Sequence, residues 1–195
     1  MTRSIATKPN IEPAVLSPAP TRFGPDPELL SRVLRPYHDD CRYLQSATIS
    51  VKDGLAVARG EFYVPSPCYL ETTAHVNVAE FNICYDQLAY YLIVKSIKEK
   101  VVPELAAWTV ENYWVRQLPN ILITRFRSVY RSQIYSSTFR GEVAFTSFTE
   151  SNVRRPVLLT QTTCRFWDND KGRSDGEVLL ALVDPPNANA GQVAA

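Results

Sequence analysis

The chain has 195 residues and a mass of 22.0 kDa, and 45% of its residues are hydrophobic, so it can form one domain with a sizeable core. Its formal net charge is +1. Nucleic-acid-binding proteins carry a surplus of basic residues, so we expect no nucleic-acid partner. No stretch approaches the roughly 20 apolar residues that a membrane-spanning helix needs, so we expect no membrane partner either.

Proline-rich and small polar segments at the two ends of the chain predict tails. Prolines recur through the first 25 residues, which carry few large apolar side chains. Proline fixes φ and removes a backbone donor, so we predict a disordered tail over residues 1–25. The segment 185–195 predicts a second, flexible tail, which leaves 26–184 as the folded domain. No apolar stretch of signal-peptide length precedes the prolines, so we expect a cytoplasmic protein.

The cysteines and histidines do not form a metal-binding pattern. The four cysteines are widely spaced without a CxxC pair, and the chain has two histidines. Zinc sites usually combine such residues at short, regular spacings. We therefore expect reduced cysteines, no metal and no cofactor.

The folded part begins with a short helix and a hairpin. Asp26 is a favourable N-cap with proline at the first helical position, and Pro36 ends the apolar stripe that follows. Two strand-like segments come next, at 45–51 and 55–64, and the Asp-Gly pair between them is typical of a hairpin turn.

A long helix and four further strands complete the predicted domain. The helical pattern covers 79–100, and its apolar face is wide enough to imply burial on most sides. A short helix at 109–117 follows it. Four strand-like segments complete the chain, at about 119–131, 137–148, 155–167 and 176–183. A curved antiparallel sheet can cover such a helix, so the sequence predicts an α+β hot-dog fold, a curved antiparallel sheet wrapped around one long central helix.

Polar residues gather between the hairpin and the long helix. They include Tyr69, Glu71, His75, Asn77 and Glu80. A helix N-terminus offers backbone N–H groups and a positive dipole end, which suit a carbonyl oxygen that develops negative charge. His75 can act as a general base near neutral pH, and Tyr69 and Asn77 can donate hydrogen bonds. The structural alternative is that Asn77 caps the helix and Glu80 interacts with its dipole.

Four separated segments resemble one known family. They are ELLSRVLRPYHDDCRYL, SPCYLETTAHVNVAEFNICYDQLAYY, VRQLPNILITRFR and CRFWDNDKGRSDGEVLLALV, in this order and within roughly residues 28–184. These segments are similar to the actinobacterial fatty-acyl-CoA thioesterase-like family of the hot-dog fold. That family includes thioesterase homologues of isonitrile-lipopeptide and β-amino-acid biosynthesis, which add glycine to α,β-unsaturated acyl thioesters.

The resemblance implies a function and a set of site residues. The function is conjugate (Michael) addition of glycine to the β-carbon of an enoyl thioester on an acyl carrier protein, in secondary metabolism, with or without later hydrolysis. By matching motifs, the resemblance places Tyr69, His75 and Asn77 at catalytic positions, and Tyr37 where it shapes the substrate site. We also predict that Glu80 contributes to substrate binding. A neutral histidine suits this chemistry, because glycine's ammonium must lose a proton before its nitrogen attacks.

Two alternatives to glycine addition stay open. The first is a long-chain acyl-CoA thioesterase, in which Glu80 or Glu71 would direct water. The second is a non-catalytic acyl-binding protein, in which the polar residues would only end a strand and cap a helix. The resemblance also implies a homodimer, since single hot-dog domains usually build their active site at a subunit interface, and a hexamer is compatible with it.

Arginines accumulate in a segment that lacks acidic residues, from Asn112 to Gly141. Arg125, Arg127 and Arg131 share strand parity and are expected to point to one face. Such a cluster suits the phosphate of a phosphopantetheine arm and the acidic surface of a carrier protein, and coenzyme A would satisfy the same groups. We predict substrate binding by Arg125 and Arg127, and the alternative is a solvated face that prevents edge pairing.

Overall fold

The computed structural model describes residues 19–52, 54–67, 75–135, 137–152 and 154–186. The helices and strands run in this order: β1 (Thr21–Phe23), α1 (Pro27–Leu34), β2 (Leu44–Lys52), β3 (Leu55–Tyr63), α2 (Val78–Glu99), α3 (Val110–Arg116), β4 (Ile121–Ser132), β5 (Thr138–Ser151), β6 (Val157–Trp167) and β7 (Arg173–Val183). Within the described ranges, no helix is both long enough and apolar enough to cross a membrane.

The strands form one antiparallel sheet that packs against α2. Their order is β1-β2-β3-β5-β6-β7-β4, so β1 and β4 are the two edges. One edge is short, because β1 has 3 residues, and the other is long, because β4 has 12. The apolar face of α2 lies on the sheet, with Phe81, Leu88 and Leu92 fully buried. This architecture confirms the predicted α+β hot-dog fold.

Two buried polar side chains of α2 fix its position. The Tyr85 hydroxyl shares a 2.7 Å hydrogen bond with the Thr162 hydroxyl of β6. Gln87 accepts from the backbone N–H groups of Tyr43 and Leu44, at 3.0 and 2.9 Å, and donates to the Cys41 carbonyl at 2.6 Å. Because these partners lie on the segment that enters β2, Gln87 ties the start of the sheet to the middle of the helix.

Two glycines face each other across β3 and β5. Gly60 and Gly141 are register partners. A methyl group at Gly141 would lie 2.5 Å from the Phe166 ring, and one at Gly60 would lie 2.6 Å from a Leu44 methyl and 3.1 Å from Leu88 of α2. The Phe166 ring is rigid, so the close approach requires glycine at Gly141, whereas a side chain at Gly60 would require the Leu44 methyl group to move.

The predicted elements were recovered, with one difference at the N-terminus. Strand β1 lies inside the segment 1–25, which the prolines assign to a disordered tail, and it pairs with β2 from Thr21 to Phe23. Strand pairing uses backbone groups and needs few apolar side chains, and Phe23 supplies one by packing against the core. Most of both predicted tails, residues 1–18 and 187–195, lies outside the described residues.

Candidate active site

The N-terminus of α2 is closed by a capping box. The Asn77 side-chain oxygen accepts from the Ala79 N–H at 2.8 Å, and the Glu80 Oε2 atom accepts from the Asn77 N–H at 3.0 Å. Asn77 therefore has the capping role that the sequence left open, and its oxygen is occupied by it. The amide nitrogen of the same side chain takes no part in the cap and can donate to another group.

His75 lies two residues before the helix, beside the end of β4. It is half-buried, and its ring meets the Tyr135 ring edge-on at a centroid distance of 6.5 Å. The neighbouring Val76 N–H donates to the Ile134 carbonyl at 2.9 Å, which fixes this segment against the chain leaving β4. The structure thus brings His75 and Asn77 together at one end of α2, as the sequence predicts.

Glu80 combines burial with an unused oxygen. Its side chain is 1% exposed, and its Oε2 atom belongs to the capping box. Among the described residues, its Oε1 atom has no hydrogen-bond partner. A buried oxygen without a donor is costly, so this atom calls for a partner that the described part of the chain does not provide.

Aromatic rings connect this end of the helix to β4. Phe81 lies edge-on to Phe126 and to Tyr130, with centroids 5.7 Å apart in each case, and 4.9 Å from Phe166 of β6. Tyr130 and Tyr135 are 43% and 64% exposed, large fractions for aromatic side chains beside a candidate site. The site therefore opens on the side of the edge strand.

Tyr37 lies elsewhere, against the middle of α2. It follows α1 and is half-buried, and its carbonyl accepts from Arg42 Nε at 3.0 Å. Burial, and to a smaller extent the charge of Asp86, raises the pKa of its hydroxyl well above the usual range. Asp86 is nine residues beyond Asn77, about 14 Å along a helix, so no described contact joins Tyr37 to His75.

Asp86 is a residue whose environment sequence reasoning did not anticipate. In the sequence, the only sign of a special position is that Asp86 interrupts the apolar face of α2. In the structure it is half-buried near Tyr37 and Tyr90. Burial raises its pKa to about 7. A carboxyl group with a pKa near neutral makes Asp86 a second polar position along the helix.

Two predicted site residues, Tyr69 and Glu71, lie outside the described residues. Among the side chains that are described, no group of three histidine, cysteine, aspartate or glutamate residues comes together as metal ligands would.

The predicted arginines lie on the face of the sheet away from α2. Arg127 and Arg131 line one groove of about 330 Å³, and Arg125 extends the same face with a 3.3 Å hydrogen bond to Gln161. The strand order adds two arginines, Arg165 of β6 and Arg173 of β7, which line this groove as well.

Asp175 organises the groove. It pairs with Arg131, Arg165 and Arg173 at 3.2, 3.2 and 3.0 Å. Burial alone would raise the pKa of this carboxyl, but the hydrogen bonds from the three arginines lower it overall. Arg127 is exposed in the groove and takes part in none of these ion pairs. Its register partner on β7 is Glu177, which lines the same groove.

Comparison with known proteins agrees with this geometry. A (2E)-enoyl-[ACP] glycyltransferase from Streptomyces coeruleorubidus is 45% identical over 163 residues, which cover 83% of this chain and 99% of that protein. One of the same name from Mycobacterium marinum is 32% identical over 89% of this chain and 94% of its own length. The crystal structure of a thioesterase candidate from Syntrophus aciditrophicus superposes with a TM-score of 0.51 at 8% identity, covering 80% of this chain and 95% of that one.

The fold, and the polar site at the N-terminus of its central helix, define a hot-dog protein of the thioesterase type. Residues 32–182 match the model of the FcoT-like thioesterase domain, and the chain belongs to that family.

Proposed function

We propose that this protein is an enzyme that adds glycine to the β-carbon of an α,β-unsaturated fatty-acyl thioester carried by an acyl carrier protein. One observation carries the proposal: the Streptomyces relative named (2E)-enoyl-[ACP] glycyltransferase is 45% identical to this chain over 99% of its own length. The groups at the start of α2 supply the chemistry that such an addition needs. A carrier-bound substrate also supports a cytoplasmic location.

Bond formation begins with proton transfer to His75. Glycine's ammonium gives one proton to the neutral imidazole, which frees the nitrogen lone pair. The nitrogen then bonds to the β-carbon, and the electrons of the carbon–carbon double bond move through the α-carbon to the thioester oxygen. The intermediate is an enolate, whose negative charge lies mainly on that oxygen.

The start of α2 stabilises the enolate, and His75 completes the reaction. The positive end of the helix dipole and the Asn77 amide N–H face the developing charge, and we propose Tyr69 as a further donor. The imidazolium of His75 returns its proton to the α-carbon, which restores the thioester. The product is a β-(carboxymethylamino)acyl thioester, and no oxidant or reductant is consumed. Tyr37, against the middle of the helix, shapes the space for the acyl chain.

Hydrolysis of the acyl thioester is a second candidate function. The family description, a thioesterase domain, favours it, and so does the unused Glu80 oxygen, which could direct water. Hydrolysis could also follow the addition and release the product as a free acid.

Mass spectrometry separates these functions. A carrier-bound 2-enoyl thioester is incubated with the protein, with and without isotopically labelled glycine. Glycine addition predicts a product heavier by one labelled glycine, absent when His75→Ala is used. Free enoic acid that forms at the same rate without glycine would replace this proposal with a thioesterase.

The arginine groove supports the carrier as partner. Arg127, together with Arg125, would bind the phosphate of the phosphopantetheine arm and the acidic surface of the carrier protein. Arg131, also on this face, is three residues from Ile134, about 10 Å along an extended chain. The Ile134 carbonyl in turn accepts from the Val76 N–H, next to His75. The groove therefore lies close enough to the site for a flexible arm to connect the two.

A matched pair of variants tests the groove. Arg127→Ala should raise the KM for the carrier-bound thioester about 3- to 10-fold, and leave the KM for a short N-acetylcysteamine thioester unchanged, because that substrate has no phosphate. Arg35→Ala, at the exposed end of α1, is the control. Equal effects of Arg127→Ala on both substrates would contradict a phosphate-binding role. A coenzyme A thioester in the same assay separates the two carriers.

The long edge strand supports a homodimer. Among the described strands, β4 pairs on one side only, and Leu122 and Tyr130 on it are exposed. Pairing with a second copy along β4 would cover the open side of the site. Leu122→Lys should then give monomers by light scattering and lower activity, whereas Leu118→Lys, exposed but outside β4, should not. A wild-type monomer would overturn the proposal, and a mass of six copies would extend it to a trimer of dimers.

A further inference from the structure

Only one of the two carboxylate oxygens of Glu80 takes part in the helix cap. The capping box needs one acceptor at this position, and glutamine supplies it as well as glutamate does. Here Oε2 fills that role at 3.0 Å from the Asn77 nitrogen, while Oε1 has no partner among the described residues. The second oxygen, and the negative charge of the group, are therefore not explained by the cap.

Other buried polar atoms also lack partners among the described residues, and Glu80 differs from them in charge and in place. They are Tyr91 Oη, Ser96 Oγ, Trp114 Nε1, Asp168 Oδ2 and Ser174 Oγ. Asp168 is the other carboxyl, and its Oδ1 atom accepts from the Gly172 N–H at 2.7 Å in the turn before β7. That turn packs beside Ile134, but Asp168 takes no part in the α2 cap. Glu80 alone in this group is a carboxylate in the same cap as Asn77 and close in sequence to His75.

The position favours a negative charge and a cationic ligand. The N-terminus of a helix stabilises an anionic side chain, so Glu80 presents a carboxylate there. A buried carboxylate oxygen pairs best with a charged N–H donor, which forms short and strong hydrogen bonds. Glu80 itself is buried, while His75 and Asn77 beside it are half-buried, so this end of α2 is partly exposed to solvent.

We propose that Glu80 Oε1 binds the ammonium group of glycine. This assignment rests on the proposed function and names the group that positions the nucleophile. When His75 has taken one proton, a remaining N–H still donates to Oε1, so the nitrogen is held with its lone pair directed away from Glu80 and toward the β-carbon. Glu80 thus restrains glycine without exchanging a proton with it.

Glu80→Gln tests the assignment, because it keeps the cap and removes the charge. The glutamine oxygen can accept from the Asn77 N–H, and its NH₂ group would stand where Oε1 stood and repel an ammonium. We expect the KM for glycine to rise about 10- to 100-fold, with the KM for the enoyl thioester unchanged. The melting temperature should fall only slightly, because the cap is kept and only the charge at the helix N-terminus is lost. Calorimetric titration of glycine, in the presence of a saturated acyl thioester that cannot react, should detect binding to the wild type and none to this variant.

Two further variants separate ligand binding from capping. Glu80→Ala removes both roles, so it should lower the melting temperature and also raise the KM for glycine. Glu80→Asp keeps the charge on a shorter side chain, so its KM for glycine should be intermediate. If Glu80 only caps the helix, Glu80→Gln will have a wild-type KM for glycine, and the assignment is overturned.

The outcomes distinguish this assignment from the proposed function itself. Wild-type protein that incorporates no labelled glycine would end the proposed function. Wild-type protein that incorporates glycine, beside a Glu80→Gln variant with the same KM for glycine, would remove the role of Glu80 alone.

Discussion

The two ends of α2 treat their charges differently. At the C-terminal end, Lys95 is buried and pairs with Asp26 at 3.3 Å and with Glu99 at 2.7 Å, while Lys98 reaches the same Asp26 at 2.5 Å. The helix then ends at Lys100 in a left-handed conformation. Lys95, Lys98 and Glu99 thus all have charged partners at this end, and Asp26 also caps α1.

At the N-terminal end, polar groups remain available. The Asn77 amide nitrogen lies outside the cap, and Glu80 Oε1 has no hydrogen-bond partner among the described residues. One helix thus has a closed end that fixes its position and an open end that suits catalysis. The comparison predicts that substitutions at the first end change stability and that substitutions at the second change turnover.

The largest effect is expected from His75→Ala. Loss of the general base should lower the rate of glycine addition about 100- to 10,000-fold, measured by mass spectrometry of the product. The melting temperature should change little, because His75 is only half-buried. His38→Ala, at the exposed second histidine, is the control and should retain wild-type activity. Substantial product from His75→Ala would assign the base to another group.

Asn77→Asp should give the next largest effect. Aspartate caps a helix as well as asparagine does, so the melting temperature should stay the same or rise. The substitution removes the amide N–H that we propose for the enolate oxygen, so turnover should fall about 100-fold. Wild-type turnover in Asn77→Asp would restrict Asn77 to capping. Asn77→Ala should in addition cost about 1 kcal/mol of stability in urea unfolding.

Asp86, between the two ends, should affect stability in a pH-dependent way. Its pKa is raised from 3.8 to about 7, so the folded state holds a proton that the unfolded state releases. Its contribution to stability therefore falls as pH rises from about 4 to 7, by about 2–4 kcal/mol, and is constant above that range. Asp86→Asn should gain stability relative to the wild type across this window. A difference between the two that does not vary with pH would contradict the raised pKa.

The smallest effect is expected from Asp26→Asn, at the C-terminal end of α2, and it should be an effect on stability alone. Asparagine still caps α1, but the charged contacts to Lys95 and Lys98 are lost, at a cost of about 1–3 kcal/mol at neutral pH. Activity per folded molecule should not change.

The effect of Asp26→Asn should also depend on pH. Burial alone would raise the pKa of Asp26, but hydrogen bonds from Lys98, the Leu29 N–H and Lys95 lower it below 3.8. The stabilisation is thus present above about pH 4 and disappears as pH falls through the lowered pKa. Urea unfolding of both proteins should show their difference shrinking in acid, and a constant difference would contradict an ionic role.

Local sequence was sufficient for the elements and for part of the site. The apolar periodicity of α2 and the alternation in β3 to β7 are local signals, and they predicted both the fold and the position of His75 and Asn77 at a helix N-terminus. β1 was not predicted, because three residues are too few to show the apolar–polar alternation of a strand.

Features that depend on strand order or on side-chain geometry could not be predicted from the sequence. Arg165 and Arg173 join Arg127 only because β6, β7 and β4 are neighbours, which residue spacing does not reveal. The open oxygen of Glu80 is likewise visible only when its other oxygen is seen to hold the cap. The sequence predicted Glu80 as a substrate-binding residue, but it could not show which of its two oxygens is engaged in the cap.

The facing glycines of β3 and β5 show that missing atoms can set a dimension of the molecule. No contact of Gly60 or Gly141 holds the sheet to α2; the two residues instead leave a gap that Phe166, Leu44 and Leu88 enter. The packing at the middle of the sheet therefore depends on the space left by the two missing side chains, not on a hydrogen bond. An added methyl group at Gly141 would displace the Phe166 ring of β6, and one at Gly60 would press against Leu44 of β2 and Leu88 of α2.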